Sequence, residues 1–423
     1  MRYLLASVFL LLSNFWLYDA SSLVAASRTP PGFVTTQGTS FELDGKPFAF
    51  VGANSYWLPL LTSKEDVRAT FREMQAAGIR VLRTWGFNAI NGSELAGALE
   101  TDLTYYQVWN SSEWVLNDGP QGLERLDFVI QAAAEFDIKV IVAFTNNWRV
   151  PGAELYINWI AGAGVTHDVF FSDPRIIASY QRYVKTIVNR YKNSPTIFAW
   201  ELMNEARCLG DLPSGPNCVP GTELLTKWYK QQSDFVRRLD PHHLITTGGE
   251  GHFFWRNATG EFATDYNFNG QAGEDFDADL TLDNIDFATY HLYPQVWYSN
   301  LDFPGSNFSL EQWGLDWITL HAESGARAGK PVILEEFGMQ GIENKTSIYP
   351  SWVNHAIETK TAIMPWQFGV LGLKEHGGNH LFKYEDRLIN GASPNDGLAY
   401  YKNQTQLWNI FTHAASLLSS HSK

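Results

Sequence analysis

The chain has 423 residues, 45% of them hydrophobic and 18% charged, enough apolar mass for a large core. A formal net charge of −14 and a sequence pI near 5.2 argue against nucleic acid or anionic membrane as a partner, since both would repel it. Aromatics make up 14%, including 16 Trp, which suits either an aromatic core or stacking on sugar rings; the count alone does not decide.

Residues 1–26 read as a secretory signal. Met1-Arg2 leads into an apolar stretch from Leu4 to Leu17, and Val24-Ala25-Ala26 supplies small residues suited to cleavage. The apolar run contains Ser and Asn and is short for a bilayer span, so a secreted, extracellular protein is expected rather than an anchored one. Residues 27–423 then read as a single domain.

Phe33–Thr36 and Phe41–Leu43 flank Gly38, and Asp44-Gly45 turns into Pro47-Phe48, which predicts a small N-terminal β-hairpin. An alternation follows. Apolar strand candidates are Phe48–Ala53, Ile79–Thr84, Lys139–Thr145, Ile197–Asn204, Leu244–Gly249, Ile285–His291, Val332–Glu336 and Ala362–Phe368. Helical candidates between them are Lys64–Ala77, Gly122–Phe136, Pro174–Tyr191, Thr222–Leu239, Leu310–Ala328 and Ser347–Lys360, with Thr405–Leu418 after the last strand. The connection after Leu244–Gly249 lacks a convincing helix, because residues 252–284 are rich in Gly, Asp and Asn. This order predicts an α/β fold, a (β/α)8 TIM barrel, since parallel strands need crossovers and the helices cover the sheet. The competing doubly wound sheet lacks a Gly-rich nucleotide fingerprint after its first strand. A monomer is expected.

Cys208 and Cys218 share a loop rich in Gly, Pro and Asn, and in an exported protein a disulfide is the preferred reading. Sequons at Asn91, Asn110, Asn257, Asn307, Asn344 and Asn403 fit a glycosylated surface, each weakly on its own.

The strongest chemical signal is a pair of carboxylates ending apolar strands. Glu205 lies in Phe198-Ala-Trp-Glu-Leu-Met-Asn-Glu-Ala-Arg-Cys208, and Glu336 in Pro331-Val-Ile-Leu-Glu-Glu-Phe-Gly338. Burying such charges is unfavourable unless they are partnered. An acid and a nucleophile facing one another at a barrel mouth meet the requirement for glycosidic bond cleavage. Strand neighbours face opposite ways, so only one of Glu335 and Glu336 should reach the mouth, and spacing cannot choose between them. Other strand ends offer Asn54, Tyr56, Trp57, Arg83, Trp85, Asn146, Asn147, Trp148, Asn204, Glu250, His252, His291, Tyr293 and Trp366. A Tyr hydroxyl and an Arg would keep the nucleophile ionised, and a His beside the acid could tune it. Bland roles compete: Arg83 would equally neutralise Glu201 or Glu335, His291 could be a satisfied core histidine, and Trp366 could be barrel packing. The His376–His380 segment hints at metal, but it lacks a carboxylate partner, so neither metal nor cofactor is expected. There is no Gly-x-Ser-x-Gly elbow and no phosphate loop.

At these residues the chain resembles glycoside hydrolase family 5, and within it the endo-β-1,4-mannanases of fungi and plants. The similar stretches are Gly52–Trp57, Val81–Phe87, Phe198–Cys208, Thr247–Gly251, Ile285–Pro294 and Ile333–Gly338. The resemblance implies that Glu205 is the general acid/base and that Glu336, rather than Glu335, is the nucleophile. It implies that Arg83, Asn204, His291, Tyr293 and Trp366 surround the sugar at the cleavage point and that Arg207 contacts the leaving-group side. Trp57 and Trp148 match aromatic positions along the cleft. The implied partner is β-mannan or a manno-oligosaccharide. Rival readings are an exo-β-mannosidase or transmannosylase, a β-1,4-glucanase of the same family, and a non-catalytic polysaccharide-binding barrel.

Overall fold

The computed structural model describes residues 29–148, 151–298, 301, 309–375 and 391–421. The expected signal at residues 1–26, the sequon at Asn307 and the His376–His380 segment lie outside them.

Short, fully buried strands form the centre: β1 (Gly52–Asn54), β2 (Val81–Trp85), β3 (Lys139–Ala143), β4 (Ile197–Glu201), β5 (Leu244–Thr246), β6 (Ala288–Leu292), β7 (Val332–Phe337) and β8 (Ala362–Ile363). Their near-continuous apolar character follows from being covered on both faces. The first five pair in parallel in chain order, and so do the last three. Backbone contacts close both seams. Val51 bridges Ile363 in parallel, while Asp286 N–H donates to Ile245 O at 2.9 Å and His291 N–H to Glu250 O at 3.1 Å. The result is the expected (β/α)8 barrel.

The covering helices are α1 (Lys64–Ala76), α2 (Leu123–Glu135), α3 (Pro174–Tyr191), α4 (Leu224–Leu239), α5 (Phe276–Leu280), α6 (Leu310–Ala328), α7 (Ile342–Glu358) and α8 (Thr405–His421). Local chemistry starts and stops them. Ser63 caps α1 by accepting from Asp66 N–H, and Asp173 caps α3 with Pro174 in its first turn. Gly329, at φ 66°, ends α6 in the left-handed conformation. On α3, Ile176, Tyr180, Tyr183, Val184, Ile187, Val188 and Tyr191 form the buried stripe. The connection after β5 holds the short α5 and a turn of 3-10 helix at Gly260–Ala263, in keeping with its loop-like composition. α7 starts at Ile342 rather than the expected Ser347 and carries Pro350 within it.

The N-terminal hairpin forms as expected, Val34–Gln37 pairing with Ser40–Leu43. Its Phe41 packs against Phe198 and Phe287 at ring distances of 5.1 and 5.3 Å. With Phe48, Phe50, Val81 and Ile333 these rings plug the end where the strands begin. The opposite rim is left to the site.

A second, small sheet was not anticipated. Ala89–Asn91, Gln107–Asn110 and Glu113–Leu116 form a small sheet between β2 and α2. The turn between its last two strands passes through Ser111 at φ 58°, and Trp109 and Trp114 face each other across it. Cys208 and Cys218 are joined in a disulfide with Cα atoms 5.3 Å apart, and Cys208 N–H donates to Ala272 O at 2.7 Å. That bond ties the loop after β4 to the long loop after β5.

Candidate active site

Two local features aim the carboxylates. Glu205 sits beyond β4 at φ 53°, a conformation unfavourable for a side-chain-bearing residue, and its N–H donates to Gly248 O at 2.8 Å. On β7 the pairing register with β6 slips between Tyr290 and His291, so His291 lies opposite Glu336 and Glu335 is the extra residue. A carboxylate oxygen from Glu205, one from Glu336 and a ring nitrogen of His291 consequently lie within 4.8 Å of one another.

Each carboxylate has its own partners. Glu205 Oε1 is 2.7 Å from His291 Nδ1, and its Oε2 accepts from the Trp148 indole N–H. Glu336 accepts from Arg83 Nη1 on one oxygen and from the Tyr293 hydroxyl, at 2.8 Å, on the other. Burial pushes the Glu336 carboxyl above its ordinary value; the Glu205 charge adds to this, while His291, Arg83 and Tyr293 pull it back. Burial and the Glu336 charge likewise hold the Tyr293 hydroxyl protonated, so it stays a donor. Burial alone would neutralise His291, but Glu336, Glu205 and Glu335 outweigh it and raise the imidazole well above its usual value.

Arg83 is fully buried and is the hub of the cluster. It grips Glu201 with two bonds of 2.7 Å and donates to Asn204 Oδ1 at 2.7 Å and Asn54 Oδ1 at 3.1 Å. Its Nε lies 3.4 Å from Glu335. Arg83 therefore both neutralises core carboxylates and reaches the candidate nucleophile. Asn204 in turn donates to Asn146 at 2.8 Å.

A cleft of about 1050 Å³ opens over these groups. On one side Arg207 is held by Glu250 through two short bonds, its guanidinium over Trp148 and Tyr266 at 5.4 and 5.5 Å. Burial works to raise the Glu250 carboxyl, but Arg207 and His252 overcome it and keep it well below the usual range. On the other side Trp366 stacks on Tyr56 with centroids 5.7 Å apart and donates its indole N–H to Asp396 at 2.6 Å.

The barrel thus gathers Glu205, Glu336, Arg83, Asn204, Arg207, His291, Tyr293, Trp148 and Trp366. Trp57 is the exception: it is fully buried in the barrel-helix core rather than in the cleft. The chain turns there into the one-turn helix Leu58–Leu60, which carries Trp57 inward and leaves Tyr56 beside Trp366. The sequence reading missed Asp396, whose partnership with Trp366 spans separate connections, and the wall built by Tyr266 and Trp297. Among the described residues, Glu205, His291 and Glu336 are the group with metal-ligand spacing. Both oxygens of Glu336 already accept from Arg83 and Tyr293, so the donor set suits a carboxylate pair balanced by protein cations better than it suits a metal ion.

A closed parallel barrel that holds two buttressed carboxylates across a cleft at its strand ends is the construction of a glycoside hydrolase. Residues 31–369 match the model of the GH family 5 β-mannosidase-like family, and the chain belongs to that family. It is 34% identical over 376 residues to a probable mannan endo-1,4-β-mannosidase A of Aspergillus flavus, covering 89% of this chain and 85% of that protein. A probable mannan endo-1,4-β-mannosidase C of Aspergillus terreus is 37% identical over 387 residues, with coverage of 85% and 89%. The crystal structure of the endo-1,4-β-mannanase from Rhizomucor miehei superposes with a TM-score of 0.76 at 33% identity, covering 92% of this chain and 99% of that one.

Proposed function

We propose that this glycoside hydrolase is a secreted, retaining endo-β-1,4-mannanase acting on internal bonds of mannan, glucomannan and galactomannan. The observation that carries the reading is the spacing of Glu205 and Glu336, whose nearest oxygens fall within 4.8 Å. Direct attack with retention needs carboxyls about 5–5.5 Å apart, whereas inversion needs about 6.5–9.5 Å to admit a water. The endo-mannanase names of the relatives supply the substrate class.

In this mechanism Glu336 attacks the anomeric carbon, its oxygens oriented by Arg83 and Tyr293. Glu205 donates its proton to the leaving oxygen, and after the leaving sugar departs it takes a proton from the water that releases the glycosyl-enzyme. Asn204, fixed by Arg83 and Asn146, presents its amide beside the reacting sugar. Arg207 and Trp148 bind the leaving-group side, and Trp366 forms the platform on the other. Residues 1–26 direct export. The described sequons at Asn110, Asn257, Asn344 and Asn403 are exposed, as glycosylation requires.

The test is digestion of mannohexaose with NMR detection of the first-formed anomer. Internal cleavage giving a β-configured reducing end is expected. Glu205→Ala and Glu336→Ala should each lower turnover by at least about 10³-fold, on the scale of losing an acid or a nucleophile. Inverted product, or near-normal turnover in either variant, overturns the assignment.

A further inference from the structure

Neither the proposed mechanism nor the resemblance gives Glu335 a role, and unlike Glu201, which Arg83 grips with two hydrogen bonds, it has no hydrogen-bonded partner. Ordinary strand alternation would send it to the opposite side of β7 from Glu336. The register slip against β6 lets both carboxyls face the cluster instead. Glu335 is fully buried, and neither of its carboxylate oxygens has a hydrogen-bond partner. Such a group is costly to keep, because a buried carboxyl without donors has lost its water and gained little in return. Its nearest cationic neighbours are Arg83 Nε at 3.4 Å and His291 Nε2 at 3.7 Å. His291 Nε2 is likewise buried without a hydrogen bond, while Nδ1 on the far side of the ring is bonded to Glu205. The imidazole therefore stands between Glu335 and the proposed acid/base.

We infer that Glu335 is a positioning residue whose buried charge, acting through His291, keeps the catalytic proton on the His291–Glu205 pair. The inference rests on the acid/base reading of Glu205. The charge count supports it. Facing one another are the carboxyls of Glu201, Glu205, Glu335 and Glu336, with Arg83 and His291 as the cationic groups and Tyr293 as a neutral donor; Arg207 also faces Glu205, but Glu250 matches its charge. Four acids against two cations, out of water, favour retention of protons by the cluster as a whole. Arg83 is already committed to Glu201, Asn204 and Glu336, so the share of Glu335 falls on the His291 side. A negative charge behind the ring makes the imidazolium easier to hold and the proton of the pair harder to lose. Glycosidic cleavage needs that proton in place before the leaving oxygen departs.

Replacing Glu335 by Gln keeps the shape and removes the charge. On mannohexaose, the basic limb of kcat/KM for Glu335→Gln should move to lower pH by about one unit. Limb position does not depend on the amount of active enzyme, so a partly folded preparation still reports. If Glu335→Gln does not fold, Glu335→Asp draws the charge away from Nε2 and should move the limb the same way by less. A basic limb unchanged in the folded variants, whatever the fall in kcat, overturns the inference and leaves a structural role only. Glu205→Ala run in parallel separates the two levels. If it retains turnover, the acid/base reading itself fails. If it is inactive while the limb of Glu335→Gln stays put, only the role of Glu335 fails.

Discussion

Arg83 ties the stability of the core to the proposed chemistry. Three carboxyls, of Glu201, Glu335 and Glu336, lie within ion-pair distance of a guanidinium with no solvent exposure. Removing the cation leaves uncompensated buried charge, which for buried pairs costs about 3–5 kcal/mol. Arg83→Leu should therefore lower unfolding free energy by that amount in urea titrations and also depress turnover, because Glu336 loses its orienting donor. A loss under about 1 kcal/mol, typical of an exposed pair, would mean that the cluster keeps itself neutral without Arg83. At this scale the sequence was legible where a residue's position follows from its strand end: His291 and Tyr293, two apart, both face the carboxylate cluster as alternation predicts. It was illegible where backbone geometry breaks the period. The slip on β7 brings Glu335 and Glu336 to one cluster, and the turn at Leu58 exchanges Trp57 for Tyr56. Neither has a residue-type signature.

The elements divide the barrel into a stability end and a chemistry end. Near-continuous apolar runs placed the barrel strands, and burial on one face over long stretches placed most helices. The small sheet of Ala89–Leu116 escaped because its strands lack a continuous buried apolar run and its first pairs with a partner beyond an intervening helix. The hairpin was readable from Gly38 and Asp44-Gly45, and its task becomes plain only in three dimensions, where Phe41 fills the bottom of the barrel. Phe41→Ala should open a cavity there and lower stability by about 3–5 kcal/mol. Because the plug lies at the opposite end from Glu205 and Glu336, KM on mannan at a temperature where the variant is folded should stay near wild type. A large KM change with unaltered thermal stability would show that the hairpin acts on the cleft and not on the core.

For the molecule as a whole, the buried titratable groups predict an acidic stability optimum. Burial pushes the carboxyls of Glu201 and Asp279 up to about 7, and that of Glu274 well above the ordinary value. Through the window from ordinary carboxyl values up to about 7 the native state holds these protons while the unfolded chain has released them. Stability therefore falls as pH rises through it. His291, raised well above 6.5, contributes stability that is fully present below 6.5 and is lost as pH climbs through its folded value. His167 and His321 act in the other direction. Burial lowers both to about 4, so the unfolded imidazoles take up protons below 6.5 before the native ones do, and stability falls with acidification. Between pH 5 and 7 the raised carboxyls outweigh these two histidines. Relief of the net charge of −14 adds to them. Below about 4.5 the order reverses. Asp240 and Glu250, held under the usual range by His243 and Arg207 against the effect of burial, lose their contribution as pH falls toward their folded values. Thermal midpoints measured across pH should therefore peak near pH 5, lie lower at pH 7.5, and drop steeply below pH 4. A midpoint that climbs steadily from pH 5 to 7.5 would mean that the buried acids of the barrel mouth and the β5 loop are ionised in the native state, and the charge balance assigned to them would be wrong.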